Sequence, residues 1–201
     1  MFEITAMLTM LIDHLGIVFF PEQVICRFIG RMAMPLYAFG IVQGYKYTRN
    51  FKKYLLRLLF IALVSQIFYQ PLFSTGNLNI IFTFLVCLIL LRILEQTHSK
   101  LKYLWVALTA CYLEILPFEY GLYAFGLVLI YHLNRRIIWR HNLLNLFYLF
   151  WHNWQIQLFS FLPTILIKQH QNVPLRGKWR NFYRAFYPLH LAILLLLSKI
   201  S

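Results

Sequence analysis

MFEITAMLTMLIDHLGIVFF, residues Met1 to Phe20, decides the fold class of this chain. Most of it has the composition of a lipid-embedded helix, yet it carries Asp13, the only aspartate in the sequence, directly beside His14. An ionised side chain at the centre of a membrane helix costs about 2.5–3.5 kcal/mol on insertion scales. A chain that carries this cost next to an imidazole either welds two helices with a buried pair or places chemistry or proton movement there. The run has no basic stretch ahead of it and no small-residue cleavage site after it, so it reads as a retained helix.

The rest of the sequence agrees with that class. Hydrophobic residues make up 61% and charged residues 12%, against about 45–50% and about 25% in soluble domains. With a mean hydropathy of +0.64, the expectation is an all-α, polytopic membrane helix bundle in a single domain over residues 1–201. Cys26, Cys87 and Cys111 are odd in number and scattered, which fits neither a disulfide framework nor a metal site. The net charge of +13 is spread in short basic runs between apolar segments. That is the pattern of loops against anionic lipid, and it argues against nucleic acid as a partner.

Further apolar runs cover Phe28 to Tyr45, Tyr54 to Phe73, Leu78 to Leu94, Tyr103 to Leu116 and Tyr120 to Leu133, with Pro21, Pro71, Gly76 and Pro117 at turns. Lys46, Arg49, Lys52, Lys53 and Arg57 follow the second run. Arg92, Lys100 and Lys102, then Arg135, Arg136 and Arg140, follow the fourth and sixth. The positive-inside rule puts these loops and the N-terminus in the cytoplasm. Beyond them, Leu143 to Phe150 and Ile156 to Ile167 form either one helix or a hairpin turning near Trp151 to Gln157, and a last run spans Phe186 to Leu197. A hairpin returns Lys168, Arg176, Lys178, Arg180 and Arg184 to the cytoplasmic side. Ile137 to Ile167, however, gives only about 46 Å of helix for two crossings of a roughly 30 Å core. Charge favours nine spans and length favours eight.

With this orientation most intramembrane polar residues fall in the outer half: Asp13, His14, Arg31, Ser65, Gln66, Asn79, Glu114 and Glu119. Arg31 is the expected counter-ion of Asp13. Adjacent helical residues point about 100° apart, so Asp13 is expected to pair while His14 faces a cavity. There the imidazole serves as general base or as an acyl-accepting nucleophile. His190, inside the last span, is the second histidine of interest. His98, His132, His141 and His170 lie in or beside basic loops and are expected to be solvated, while His152 stands near an outer turn. Gly40 and Gly44 form a small-xxx-small spacing for close helix packing.

In order along the chain, IDHLG (Ile12 to Gly16), RFIGRMAMPLYAFGIVQGYKYTRN (Arg27 to Asn50), KKYLLRLLFIALVSQIFY (Lys52 to Tyr69), Asn79, EYG (Glu119 to Gly121) and FYPLHL (Phe186 to Leu191) resemble the motifs of the TraX family, whose namesake is the F-pilin N-acetyltransferase. That family is distantly similar to the wider transmembrane acyltransferases. The chain departs from the pattern at HQNVPLRGK (His170 to Lys178), where a compact Tyr-Asn-Gly-Lys-Arg-Gly turn is expected; a donor contact made by that turn would differ here. The resemblance implies transfer of an acetyl group from acetyl-CoA, a substrate and not a tightly bound cofactor, with no metal. The acceptor is expected to be an amine or hydroxyl at or beyond the cytoplasmic (inner) membrane; pilin and a surface polymer are candidates, and the resemblance does not fix which, since family members need not act on pilin.

It also implies His14, Asp13 and His190 as catalytic residues. Arg31, Ser65, Gln66, Asn79, Glu119 and Tyr120 then position the site, and Lys46, Arg49, Lys52, Lys53 and Arg57 receive the donor's phosphates. The rival reading from another class is a small proton-coupled transporter built on Asp13, His14, Arg31 and Glu114. Against it, the sequence shows no internal repeat and no paired broken helices of the transporter kind.

Overall fold

The computed structural model describes residues 2–170 and 180–200, and within them the chain is an all-α membrane helix bundle. The helices are α1 (Phe2–Phe19), α2 (Val24–Gly30), α3 (Ala33–Tyr47), α4 (Phe51–Phe73), α5 (Ile80–Gln96), α6 (Leu101–Ile115), α7 (Gly121–Leu133), α8 (Ile137–His152), α9 (Leu162–His170) and α10 (Arg180–Ser198), with a 3-10 segment at Gln155–Phe161. Three stretches are long and apolar enough to cross a membrane by themselves: Phe2–Phe19, Val24–Tyr47 and Phe51–Phe73. The second of these is α2 and α3 together, broken at Arg31 and Met32. Pro35 explains the break, because it lacks the N–H that would bond the Arg31 carbonyl four residues back.

Contacts between helix ends define the two ends of the bundle. Tyr45 near the end of α3 donates to Glu95 near the end of α5 at 2.5 Å, and His132 at the end of α7 stands 3.9 Å from the same carboxylate. This is the basic end, where α3 passes into α4 through Thr48, Arg49 and Asn50. Asn50 caps α4 by accepting from the Lys53 N–H at 2.9 Å. At the far end, α4 stops after Pro71 with Ser74 in the left-handed region.

The hairpin that length disfavoured is present. It turns at Asn153, which has a φ of 55°. α8 spans about 24 Å at 1.5 Å per residue. The returning leg reaches about 28 Å because the 3-10 segment rises about 2.0 Å per residue. A uniform α-helical rise hid that extra reach. Counting α2 with α3, and the 3-10 segment with α9, the described residues form nine helical passes through the bundle, three of them long and apolar enough to cross a membrane. The HQNVPLRGK stretch lies, beyond His170, outside the described residues.

α1 packs on α2, α3 and α10; α10 lies along α4; and α3, α5 and α7 form the interior. Phe39, Phe84, Leu88, Tyr123, Leu127 and Tyr131 fill that interior with under 4% exposure each. α6 sits at the periphery, with Leu113 its one buried residue. These packings bring α1, α2, α10 and the loop before α7 to a common point in the far half.

Candidate functional site

The site is assembled where α1 meets α2. Gly30 is seated so closely on Asp13 that a Cβ there would collide with the carboxylate side chain, and this proximity lets the next polar groups of α2 reach it. Arg27 donates from Nη1 to Asp13 Oδ1 at 2.7 Å, whereas Arg31 stands 3.8 Å from the same oxygen. The expected counter-ion is thus the more distant partner, and Arg27 is the principal one. Arg27 and Arg31 are i,i+4 on one helix face, so both reach the same acid. Arg31 also donates to Gln157 Oε1 of the 3-10 segment at 3.4 Å and lies 5.7 Å over the Tyr120 ring. Its Nε is buried with no hydrogen bond among the described residues. Two guanidiniums thus share one carboxylate, Asp13.

His14 points away from this pair, as the 100° offset requires. Its Nδ1 lies 2.8 Å from Nε2 of His190, so the two histidines singled out from distant parts of the sequence meet. His190 is fixed in turn by its own helix, with Nδ1 2.9 Å from the Phe186 carbonyl. His14 Nε2 makes no hydrogen bond to the described residues and borders open space.

His14 lines two cavities. One, of about 850 Å³, runs from Thr48, Arg49, Asn50, Lys53 and Arg57 at the basic end to Asp13, His14, Glu119 and Tyr120. The other, of about 480 Å³, runs from those same four residues to Thr75, Asn77, Glu114, His152 and Trp154 at the far end. His14 therefore stands on the septum between two chambers that approach from opposite ends of the bundle.

The septum is held by the EYG turn. Glu119 Oε2 accepts from the Ile80 N–H at 2.9 Å, a carboxylate placed on the N-terminus of α5. The Glu119 carbonyl accepts from Thr83 at 2.8 Å. Tyr120 adopts a φ of 57° and Gly121 one of 30°. A Cβ on Gly121 would also meet the Leu113 carbonyl at 2.7 Å, so a side chain is excluded twice over. Asn79 donates to the Ala62 carbonyl at 2.9 Å and to Gln66 Oε1 at 2.7 Å, tying α4 to the start of α5. Ser65 is fully buried and lines neither cavity.

Of the five cations expected at the donor, Arg49, Lys53 and Arg57 line the larger cavity and Lys46 and Lys52 do not. Lys53 and Arg57 share a face at i,i+4, and Lys52 is turned about 100° away. Arg184 of α10 lines the same chamber; it was legible only as one of a late basic cluster. Gly40 and Gly44 border this chamber too, opposite Tyr183 and Tyr54, so their close packing is within the fold. His141 is a correction. It is fully buried in a network with Tyr123, Asn145, Ser160 and Thr164, not solvated. Among the described residues no group of three His, Cys, Asp or Glu side chains is placed to hold a metal ion.

Comparison with known proteins agrees with the motif reading. The probable fimbrial assembly protein FimC, serogroup H1, of Dichelobacter nodosus is 26% identical over 229 aligned positions, covering 96% of this chain and 92% of that protein. An uncharacterized protein of Rickettsia prowazekii (strain Madrid E) is 36% identical over 69 residues, 34% of this chain and 26% of that protein. No solved structure matches the chain. The family described as TraX protein matches residues 1–198, and the chain belongs to that family.

Proposed function

We propose that the protein is an integral-membrane acyltransferase that moves an acetyl group from acetyl-CoA, entering at the basic, cytoplasmic end, to an amine or hydroxyl acceptor entering from the opposite end. One observation carries this reading. The two cavities share Asp13, His14, Glu119 and Tyr120, so a donor and an acceptor that never share a compartment meet at one imidazole. Arg49, Lys53, Arg57 and Arg184 receive the donor's phosphates, charge-assisted contacts suited to a polyanion. From Lys53 to Ala62, whose carbonyl accepts from Asn79 near the septum, α4 rises about 14 Å, a span suited to a pantetheine arm.

At the septum His14 Nε2 takes the proton from the acceptor N–H or O–H as the acceptor atom attacks the thioester carbonyl carbon. The guanidiniums of Arg27 and Arg31 stabilise the oxyanion that forms. The C–S bond then breaks, and the departing sulfur takes the proton from His14 to leave as free coenzyme A thiol. The acceptor is a fimbrial subunit or a surface polymer, in keeping with the name of the FimC relative. The localisation is the cytoplasmic membrane, with the N-terminus in the cytoplasm and anionic lipid against the basic loops.

The test is incubation of the purified protein in lipid with radiolabelled acetyl-CoA and candidate acceptors, following free thiol and transferred label. Release of thiol that His14→Ala abolishes supports the reading; no release with any acceptor sinks it. The helix break at Arg31 and Met32 beside Asp13 favours the transporter as second reading. Proton uptake by proteoliposomes without thiol release would select it.

A further inference from the structure

We infer that His190 is a positioning residue that holds His14 in a single tautomer, with Nδ1 protonated and Nε2 bare toward the two cavities. The kinetic part of this inference rests on the proposed acyl transfer; the geometric part does not.

The reasoning starts at a group whose role is not open to choice. The Phe186 carbonyl can only accept, so His190 Nδ1, 2.9 Å away, carries a proton and donates it. A neutral imidazole has one N–H, which makes His190 Nε2 an acceptor. The nitrogen it faces, His14 Nδ1 at 2.8 Å, must then be the donor. The one remaining nitrogen of the pair, His14 Nε2, keeps its lone pair. Making either ring cationic at rest would bury a charge with no carboxylate in contact with the pair, a cost of several kcal/mol.

The ring geometry supports a hydrogen bond over a stack. The two imidazoles are parallel within 17° with centroids 4.9 Å apart. Faces in van der Waals contact keep their atoms about 3.5 Å or more apart. Nitrogens at 2.8 Å therefore mark rings meeting edge to edge. Both rings are walled in place. Phe186 lies parallel to His190 within 10° at 4.8 Å, and Phe73 stands edge-on to His14 at 5.0 Å. A flip of either ring would put a carbon where a nitrogen now bonds. The orienting part played by a carboxylate in serine-protease triads is thus filled here by a backbone carbonyl acting through a second imidazole. When His14 takes a proton at Nε2, its Nδ1–H to His190 helps to carry the charge.

The experiment compares the full chain in lipid nanodiscs as wild type, His190→Gln and His190→Leu. Glutamine can accept from His14 Nδ1 and donate to the Phe186 carbonyl; leucine can do neither. Diethyl pyrocarbonate, which modifies neutral imidazole nitrogens with a free lone pair, is followed by peptide mass spectrometry. In the wild type, His14 is expected to react about tenfold faster than His190, whose nitrogens are both engaged. Equal or faster reaction of His190 would overturn the assignment whether or not the protein transfers acetyl groups.

In the transfer assay, His190→Leu is expected to lower kcat on the order of a hundredfold and leave the KM for acetyl-CoA within about twofold. His190→Gln should recover most of the loss. A glutamine variant as slow as the leucine variant, or a change in KM in place of kcat, would remove the orienting role. Absence of thiol release in the wild type would count against the acyl-transfer reading alone, leaving the tautomer to the labelling result.

Discussion

Two junctions in this bundle each bury a histidine, and they differ in what the histidine has left to offer. Where α7, α8 and the returning leg meet, Tyr123 donates to Asn145 Oδ1 at 2.8 Å and lies 3.0 Å from His141 Nε2. The other nitrogen of His141 is 2.6 Å from Thr164 Oγ1, and Ser160 stands 3.1 Å from Nε2. Both nitrogens of His141 are engaged, as are Tyr123, Asn145, Ser160 and Thr164, and His141 borders neither cavity. At the α1, α2 and α10 junction, one nitrogen of His14 is engaged by His190, and the residue lines both cavities. Burial of an imidazole therefore says little about chemistry; unspent hydrogen-bonding capacity beside a cavity says much more. On that criterion the first junction is a clasp and the second the candidate site, although a serine and a histidine in contact make the clasp look the more enzyme-like of the two.

The sharpest break of this comparison is a pair of alanine substitutions. His14→Ala is expected to lower transfer on the order of 10²–10⁴-fold with little change in thermal unfolding. His141→Ala is expected to do the reverse. It removes one partner each from the Thr164, Ser160 and Tyr123 hydroxyls, which stay bonded to Tyr131 and Asn145, and leaves a hole in the buried network, at a total cost of about 1–3 kcal/mol, while the folded fraction keeps its transfer rate. Unfolding temperature and transfer per folded molecule, measured on both variants, check it. A catalytic defect in stable His141→Ala would show that the clasp is part of the site.

The second prediction sharpens how the site is held. Breaking a buried pair by removing one partner costs about 3–5 kcal/mol, and the 32% exposure of the Arg27 side chain places this pair toward the lower figure. Asp13→Asn combined with Arg27→Met should show a larger coupling energy in a double-mutant cycle than Asp13→Asn combined with Arg31→Met. Equal couplings would return Arg31 to the rank that span depth alone assigns it.

That contrast also marks what could be read from the sequence. The bundle, the alternation of basic loops and the Asp13–His14 pair are legible because lipid makes charge expensive, so each exception stands out against an apolar background. The junction of His14 with His190 is half legible. Both imidazoles fall within spans, but a 2.8 Å contact across 176 positions is set by how α10 packs on α1. Arg27 was missed because depth was counted to the nearest basic residue on the returning span, and the close seat at Gly30 that admits its i,i+4 neighbour has no local signal. His141 was misread because Arg135, Arg136 and Arg140 mark its neighbourhood as a solvated loop, when in fact α8 starts at Ile137 and turns that histidine inward.

A smaller effect is expected at Gly30 itself. A methyl group there meets the Asp13 side chain with no room to spare, and overpacking of this kind typically costs about 1–3 kcal/mol. Gly30→Ala should therefore lower the unfolding temperature. It should also lower transfer, because Asp13 and the two arginines must shift. The equivalent change at Gly76, which has open space around it, should do neither. Unfolding curves of the two alanine variants make the comparison within one preparation.

The smallest expected effect tests whether facing a cavity distinguishes a donor-binding cation, as it is proposed to distinguish His14 from His141. Lys52 and Lys53 are neighbours of one chemical type in the first turn of α4, equally able to satisfy the positive-inside rule. Only Lys53 lines the larger cavity. A single charge-assisted contact to phosphate at a solvated mouth is worth about 1 kcal/mol, so Lys53→Gln should raise the KM for acetyl-CoA about fivefold with kcat unchanged. Lys52→Gln should leave both constants alone. Raising the salt concentration should narrow the gap between wild type and Lys53→Gln, since the contact is screened. Equal KM values for the two glutamine variants would reduce the whole basic loop to its part in setting topology.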